Sequence, residues 1–560
     1  MKRALLILLL GGLALAGSFG LFLETGVTQG KNGWLFHIAE FGAYTAEQPQ
    51  DIEDKLRFIG ATSQLLKKKG ITLVVALVPA KIHLYQAQLP DDLPLTETMK
   101  NRYQRALSSL SSNGVIAVDL LTPMRQGQLS KDEANFPVYQ KLDQHFSSRG
   151  ALIAAKAVAD KVRQVIKIGD LPKAKFSLNA KPQEFYEESS LLQRLPQSEQ
   201  TKYPKEAFIP YELVRASGGL LQISDPAVVL VGSSASKGGR MWPFEYGIPY
   251  YLGVEVANAA QIGRGPWLPL EDYLTNPMYQ LKPPKVIIWQ LWESFLLDVD
   301  QANLPEDWAA KLGALIEDGS SLPNLTLPKT NSTAQEITLP TETLPTDSLL
   351  LEVSSPKLER IKLEVIGLKS RLTMTLRLGD VGQKYRLKVP LALDADSPKL
   401  VRLLADSKNL KVYRVQRYGL SLTMSALLEP KGVQNLLQRT DRLQLLGFAD
   451  LEANGIRWAM GSQTSVGFWS LNAKTVMLDL DVFNPIENQE VRWFLNDQPL
   501  ELWQGLKAEE IRQRQIILTP LRGKNTLRMQ VKFFNGSGSD FAKGEARGLS
   551  VMFNRFQLIF

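Results

Sequence analysis

Ala227-Val-Val-Leu-Val-Gly-Ser-Ser-Ala-Ser236 decides the fold. The run before Gly232 is apolar without interruption, and a strand that is hydrophobic on both faces belongs to a parallel sheet covered by helices on each side. Comparable runs occur at Ile71-Thr-Leu-Val-Val-Ala-Leu-Val78, at Val115-Ile-Ala-Val-Asp-Leu120, around Val254-Glu-Val256 and at Lys285-Val-Ile-Ile-Trp289. Helical periods separate them. Asp51 to Lys69 places Ile52, Leu56, Ile59, Leu65 and Leu66 on one face and stops at Gly70; Thr96 to Ser112 stops before Gly114; Ser148 to Ile166 turns Leu152, Ile153, Val158, Val162 and Val165 inward. Residues 28–300 are therefore expected to form one α/β domain. The polar stretch from about 168 to 224 has no clear period and reads as an insertion or lid.

The texture changes after residue 300. The Pro-, Thr- and Ser-rich stretch within 301–345 predicts a linker. Beyond it, strands such as Arg360-Ile-Lys-Leu-Glu-Val365, Tyr385-Arg-Leu-Lys-Val389 and Val476-Met-Leu-Asp-Leu-Asp-Val482 alternate polar and apolar residues. That period, with turns every ten residues or so, predicts antiparallel β-sandwiches over 346–430 and 440–560, the second a carbohydrate-binding candidate. Arg457-Trp458 and Arg492-Trp493 are the pairs there that suit a sugar ring, although neighbours in a strand point to opposite faces.

The chain of 560 residues is too long for one core, at about 150 residues per domain. At 44% hydrophobic and 22% charged it is neither disordered nor a multi-span membrane protein. Lys+Arg 65 against Asp+Glu 57 leaves +8, too dilute for a nucleic-acid partner. With Cys 0, thiolate catalysis, disulfides and Cys-based metal sites are excluded, the spacing of the 3 histidines argues against a His-rich metal centre, and no cofactor is expected. Lys2 and Arg3 precede an uncharged run from Ala4 to Leu23 that contains Ala14-Leu15-Ala16. Residues 1–23 therefore read as an export leader, either cleaved or retained as an inner-membrane anchor, and the expected compartment is the periplasm.

Any imidazole base must be His37, His83 or His145. Only His145 has a carboxylate close by in the chain, in Asp143-Gln144-His145, where Asp143 can hold the tautomer while the other ring nitrogen faces a substrate. A buried strand running into Gly232-Ser233-Ser234 presents a hydroxyl at the carboxyl end of a parallel sheet, which is where open α/β folds place their sites. Asn258 and the Gly263-Arg264-Gly265 loop follow the next strand and are candidates to complete an oxyanion hole. Read as capping and turn residues, the same segments carry no chemistry.

The order Gly33-Trp-Leu-Phe36, Val78-Pro-Ala-Lys81, Asp143-Gln-His145 with Arg149-Gly150, Val231-Gly-Ser-Ser-Ala-Ser236, Asn258 with Gly263-Arg-Gly-Pro266, and Ile287-Ile-Trp-Gln-Leu-Trp-Glu293 resembles the SGNH-hydrolase-like proteins of alginate O-acetylation and their relatives in other exopolysaccharide systems. Phe146, Gln290 and Ser294 depart from the family pattern. The resemblance implies an SGNH-like parallel-sheet domain followed by a C-terminal β-sandwich region. It assigns catalytic roles to Asp143, His145 and Ser234, and implies a membrane-bound acyltransferase as acetyl donor and a polysaccharide as acceptor. The expected activity is acetyl transfer to polysaccharide hydroxyls through an acetyl-serine, with Asn258 on the oxyanion and Trp242, Arg264, Trp267 and Trp292 at the sugar. An acetyl-polysaccharide esterase or a non-catalytic polysaccharide-binding scaffold remains the alternative.

Overall fold

The computed structural model describes residues 26–41, 49–167, 169, 171–216, 227–296, 305–328, 333–344, 347–357, 359–378, 383–393, 397–406, 408–419, 432–435, 437, 443–449, 452, 455–470, 475–521 and 523–560. The leader expected at residues 1–23 lies outside them. Among the described residues no helix is long and apolar enough to cross a membrane. The chain divides into two compact units, one formed by the described parts of Met1–Glu47, Leu66–Tyr273 and Lys282–Asp298, the other by Gln48–Leu65, Leu274–Leu281 and Val299–Phe560. Two short segments expected in the α/β domain thus belong to the second unit.

The first unit is organised by five parallel strands: β1 (Thr72–Val78), β2 (Ile116–Asp119), β3 (Val228–Val231), β4 (Val256–Asn258) and β5 (Val286–Trp292), in the order β4-β3-β5-β1-β2. Every residue of β3 and β5 is buried, as their apolar runs, broken in β5 only by Gln290, require. Helix α1 (Pro49–Lys68) lies mostly in the second unit, and the helices of the first unit include α2 (Glu97–Ser112), α3 (Leu121–Gln128), α4 (Ser148–Val165) and α5 (Phe244–Leu252). Thr96 caps α2 by accepting from the Met99 amide, and Ser147 caps α4 by accepting from the Gly150 amide. Small residues let α4 and α5 approach closely. A Cβ on Gly247 would stand 2.6 Å from that of Ala155, so only glycine fits there. The expected insertion is ordered where described, with the ladders Phe176–Ala180 to Tyr211–Arg215 and Glu184–Phe185 to Ala207–Phe208.

In the second unit the expected linker proves structured where it is described. Pro305–Ile316 is helical, Ser321–Asn324 pairs with Lys411–Tyr418, and Ala334–Thr338 pairs with Leu400–Ala405. These edge strands complete two four-stranded sheets, whose apolar residues, from Ile337 to Val415, share one core. They escape the sequence pattern because Ala334–Thr338 buries Gln335 beside Ile337, the glutamine donating to the Leu410 carbonyl. The paired sheets therefore begin before residue 346. A second pair of sheets spans Val433–Ile559 around Trp493, Phe468 and Phe556. Trp493, only 1% exposed, belongs to that core and offers no face to a sugar.

Candidate active site

His145 is carried by a tight hairpin. Residues 138–147 fold back on themselves, with Gln140 N–H donating to His145 O (3.2 Å) and Ser147 N–H to Val138 O (2.9 Å). The hairpin is clamped from both electrical ends. The buried Lys81 ammonium donates to the carbonyls of Gln140 (3.2 Å), Lys141 (3.4 Å) and Asp143 (2.8 Å), and lies over the rings of Trp34 and Phe36. The Glu206 carboxylate accepts from the amides of Lys141 (2.5 Å) and Leu142 (2.8 Å). Burial lowers the Lys81 affinity for its proton, opposed by Glu40, Glu206 and Asp143. Burial raises that of Glu206 against the pull of the two amides. The Gly-Trp-Leu-Phe and Pro-Ala-Lys stretches thus form a cradle under the loop.

Within that loop Asp143 Oδ1 lies 2.6 Å from His145 Nδ1, and its other oxygen accepts from the Ser190 amide, 2.5 Å away in the insertion. Burial by itself would raise the Asp143 carboxyl. The hydrogen bond and charge of His145, with the amides of Ser190 and His145, outweigh it and hold the group well below the usual carboxylate range. The opposite ring nitrogen, Nε2, lies 2.7 Å from Ser234 Oγ. A carboxylate, an imidazole and a hydroxyl in series is an arrangement that generates an oxygen nucleophile.

The three serines of the turn differ in what they touch. Ser233 and Ser236 both donate their hydroxyls to Gln290 Oε1 (3.1 and 3.2 Å), which also accepts from the Ser233 amide (3.0 Å). Ser234, half-buried between them, is the one turned to His145. Gly232 is needed here for space: a Cβ would meet Gln290 Oε1 at 2.7 Å. That close approach, rather than a left-handed turn, accounts for the glycine. Gln290 Nε2 is buried and has no partner among the described residues.

The remaining sequence candidates fall into different roles. Trp242 stacks flat on His145, centroids 4.6 Å apart and planes within 6°, and donates its indole N–H to Ser234 O (3.1 Å). Trp292 is 8% exposed, edge-on to His145, with its indole N–H on Ser233 Oγ. It is the floor of the site, so its expected use as a sugar platform fails for want of a free face. Phe146 fills the same floor, packed against Trp292 and Phe244. Asn258 donates to Ser236 O (2.8 Å) and to Glu245, so both of its amide hydrogens are engaged. Arg264 is ion-paired with Asp272, and Trp267 meets Trp289 edge-on. Among the described residues no group of three or more His, Asp or Glu side chains is arranged to hold a metal ion. Sequence reasoning missed Lys81, Glu206 and Ser190 as builders of the site.

Residues 27–293 match the family model described as SGNH hydrolase-like domain, acetyltransferase AlgX. The probable alginate O-acetylase AlgJ of Pseudomonas fluorescens is 31% identical over 306 residues, which span 51% of this chain and 73% of that protein. The chain belongs to this family of SGNH-like alginate O-acetylation proteins. A second family member, the alginate biosynthesis protein AlgX of Pseudomonas putida, is 28% identical across 53% of this chain and 60% of its own length. The solved O-acetyltransferase domain of Pseudomonas putida AlgJ aligns with a TM-score of 0.44 at 27% identity, covering 51% of this chain and 98% of that domain. The family match includes Asp143, His145 and Ser234 and, besides residues of the first unit, takes in Gln48–Leu65 and Leu274–Leu281.

Proposed function

We propose that the chain is an O-acetyltransferase that moves acetyl groups to hydroxyls of an exported polysaccharide through an acetyl-serine at Ser234. The observation that carries this reading is the unbroken series from Asp143 through His145 to Ser234, with contacts of 2.6 and 2.7 Å. Ser234 Oγ attacks the acetyl carbonyl carbon while its proton passes to His145 Nε2. The donor's leaving group departs with that proton, leaving acetyl-Ser234. A sugar hydroxyl then attacks the same carbon and gives its proton to Nε2, and the tetrahedral intermediate collapses by breaking the bond from carbon to Ser234 Oγ, which takes the proton back as the acetylated sugar leaves. Asp143 holds the ring and balances the imidazolium formed in each step.

The tetrahedral oxyanion needs donors already in place. Ser234 begins a short 3-10 turn, Ser234–Ser236, and the first amides of such a turn have no partner within it. The N–H groups of Ser234 and Ala235 are therefore the proposed donors. Asn258 joins them when an oxyanion replaces Glu245 as acceptor of its amide. Arg264 and Trp267, on the loop after β4, are the proposed contacts of the acceptor chain.

Three further elements complete the reading. The basic leader with its uncharged run supports a periplasmic location. A periplasmic enzyme cannot reach cytoplasmic acetyl-CoA, so a membrane-bound acyltransferase is the proposed donor. The paired sheets of the second unit are read as β-sandwiches that hold polysaccharide. Exposed Tyr413, with the Lys384 ammonium 4.7 Å above its ring, is a polar aromatic surface suited to that task. The test is to incubate the full chain with a chromogenic acetyl ester and oligosaccharide acceptors. Acetylated sugar is the expected product. Free acetate alone would make the chain an esterase, and turnover of neither would leave only a binding protein.

A further inference from the structure

We propose that Trp242 acts through His145: it is the positioning residue that fixes the imidazole plane and faces the positive charge the ring acquires during acyl transfer. The proposal rests on the acyl-transfer reading above and replaces the expected role of this tryptophan as a sugar platform.

The rim of the imidazole is fully used, with Nδ1 on Asp143 and Nε2 on Ser234. Two bonds at the rim set its direction but leave the ring free to rock about the line that joins them. The flat stack of Trp242, 4.6 Å away and 6° from parallel, removes that freedom, while Trp292 closes the edge at 5.9 Å. The indole is itself held. Its N–H donates to Ser234 O, so the ring and the nucleophile's own turn move together.

The backbone is shaped to put the indole there. Gly238 forms an isolated bridge with Trp242, and a Cβ on Gly238 would fall 1.8 Å from the indole Cδ1. A loop of five residues thus closes against its own aromatic ring, which only glycine permits at that position. When Ser234 gives up its proton, the imidazole becomes a cation beneath an aromatic face, an arrangement favoured by the negative face of the indole. Asp143 is the charged group in direct contact with the ring; Lys81 and Glu206 bind the loop backbone around it. The face of Trp242 turned to His145 is occupied and cannot receive a sugar.

A sugar-free aryl acetate separates the two roles, because it carries no sugar for a platform to hold. With the full chain, Trp242→Leu is expected to lower kcat by about 5- to 30-fold with KM little changed. Trp242→Phe keeps an aromatic face and is expected to recover most of the loss. Labelling of Ser234 by a fluorophosphonate probe should fall in the same order. Gly238→Ala, whose methyl would take the place of the indole, should reproduce the loss without deleting the ring, and so keeps the test open if Trp242→Leu folds poorly. The proposal is overturned if an active wild type and Trp242→Leu hydrolyse the aryl acetate alike, with only the KM for oligosaccharide raised. It is also overturned if Phe and Leu lose equally. A folded wild type that neither turns over the ester nor takes the probe contradicts the acyl-transfer reading itself, and this proposal with it.

Discussion

Two buried histidines, His145 and His83, each sit against a carboxylate at nearly the same distance, 2.6 Å to Asp143 and 2.7 Å to Glu293. They differ in what lies on the other side. The second nitrogen of His145 reaches the Ser234 hydroxyl, whereas Nδ1 of His83 is buried with no hydrogen-bond partner among the described residues. The carboxylates differ too. Asp143 is satisfied by amides and one imidazole, while Glu293 also binds Arg102 Nε (2.7 Å) and the Ala80 amide (2.9 Å). Glu293 thereby ties β5 to the chain leaving β1 and to α2. A histidine–carboxylate pair is thus no mark of catalysis by itself; the partner of the free nitrogen and the exposure of the pair decide whether it moves protons or holds elements together.

The largest effect expected from breaking this comparison is at the hydroxyl. Ser234→Ala and His145→Ala should each cut turnover of a small acetyl ester by about 10⁴-fold or more, with melting temperature little changed. Equal loss in Ser233→Ala would mean that the nucleophile sits one residue earlier. Asp143→Asn should lose about 10³- to 10⁴-fold, through the wrong tautomer of His145.

The matching change on the structural side should do the reverse. Glu293→Gln leaves the buried Arg102 guanidinium without its carboxylate, and urea unfolding should report a loss of about 3–5 kcal/mol, while turnover per folded molecule stays close to wild type. A variant as stable as wild type but inactive would place Glu293 in the chemistry and erase the distinction.

Acid sharpens the same contrast. Burial works to raise the Glu293 carboxyl, but Arg102 and His83 prevail and hold it at about 2, against an ordinary 4.5. A depressed carboxyl contributes its full stability above its unfolded value, and that contribution is lost as the pH falls from about 4.5 towards about 2. The pH dependence of unfolding should be shallower across this window in Glu293→Gln. An unchanged slope would show that the pair carries no such coupling.

A smaller effect concerns the edge strands. A fragment of residues 346–560 lacks Ala334–Thr338 and Ser321–Asn324, which pair with Leu400–Ala405 and Lys411–Tyr418. Losing Ile337 and its neighbours should make it about 2–4 kcal/mol less stable than a fragment of residues 305–560. Equal thermal unfolding of the two would return the segment to the role of linker.

The parts of this architecture that the sequence makes legible are those written locally. Apolar runs mark β1, β3 and β5, and Asp143 and His145 stand two residues apart beside a capped helix. What stays hidden depends on partners far along the chain. Glu293 reaches His83 across 210 residues. Lys81 and Glu206 grip backbone atoms of the 140–143 loop, and backbone partners leave no trace in residue identity. The tryptophans mislead for a related reason. Trp292 ends a strand covered on both faces, and Trp493 takes the inward position of an alternating strand, so both are spent on packing. Gln335 conceals an edge strand because a buried amide interrupts its apolar period.

The central claim, that Ser234 is the residue through which acetyl passes, is tested most directly by trapping the intermediate. The full chain is mixed with excess chromogenic acetyl ester, quenched in acid within the first turnovers, digested, and its peptides are read by mass spectrometry. The account predicts one added acetyl group on Ser234, absent in His145→Ala and discharged when an oligosaccharide acceptor is supplied before the quench. Turnover of the ester with no acetyl on Ser234, or with the acetyl on Ser233 or Ser236 instead, would contradict it.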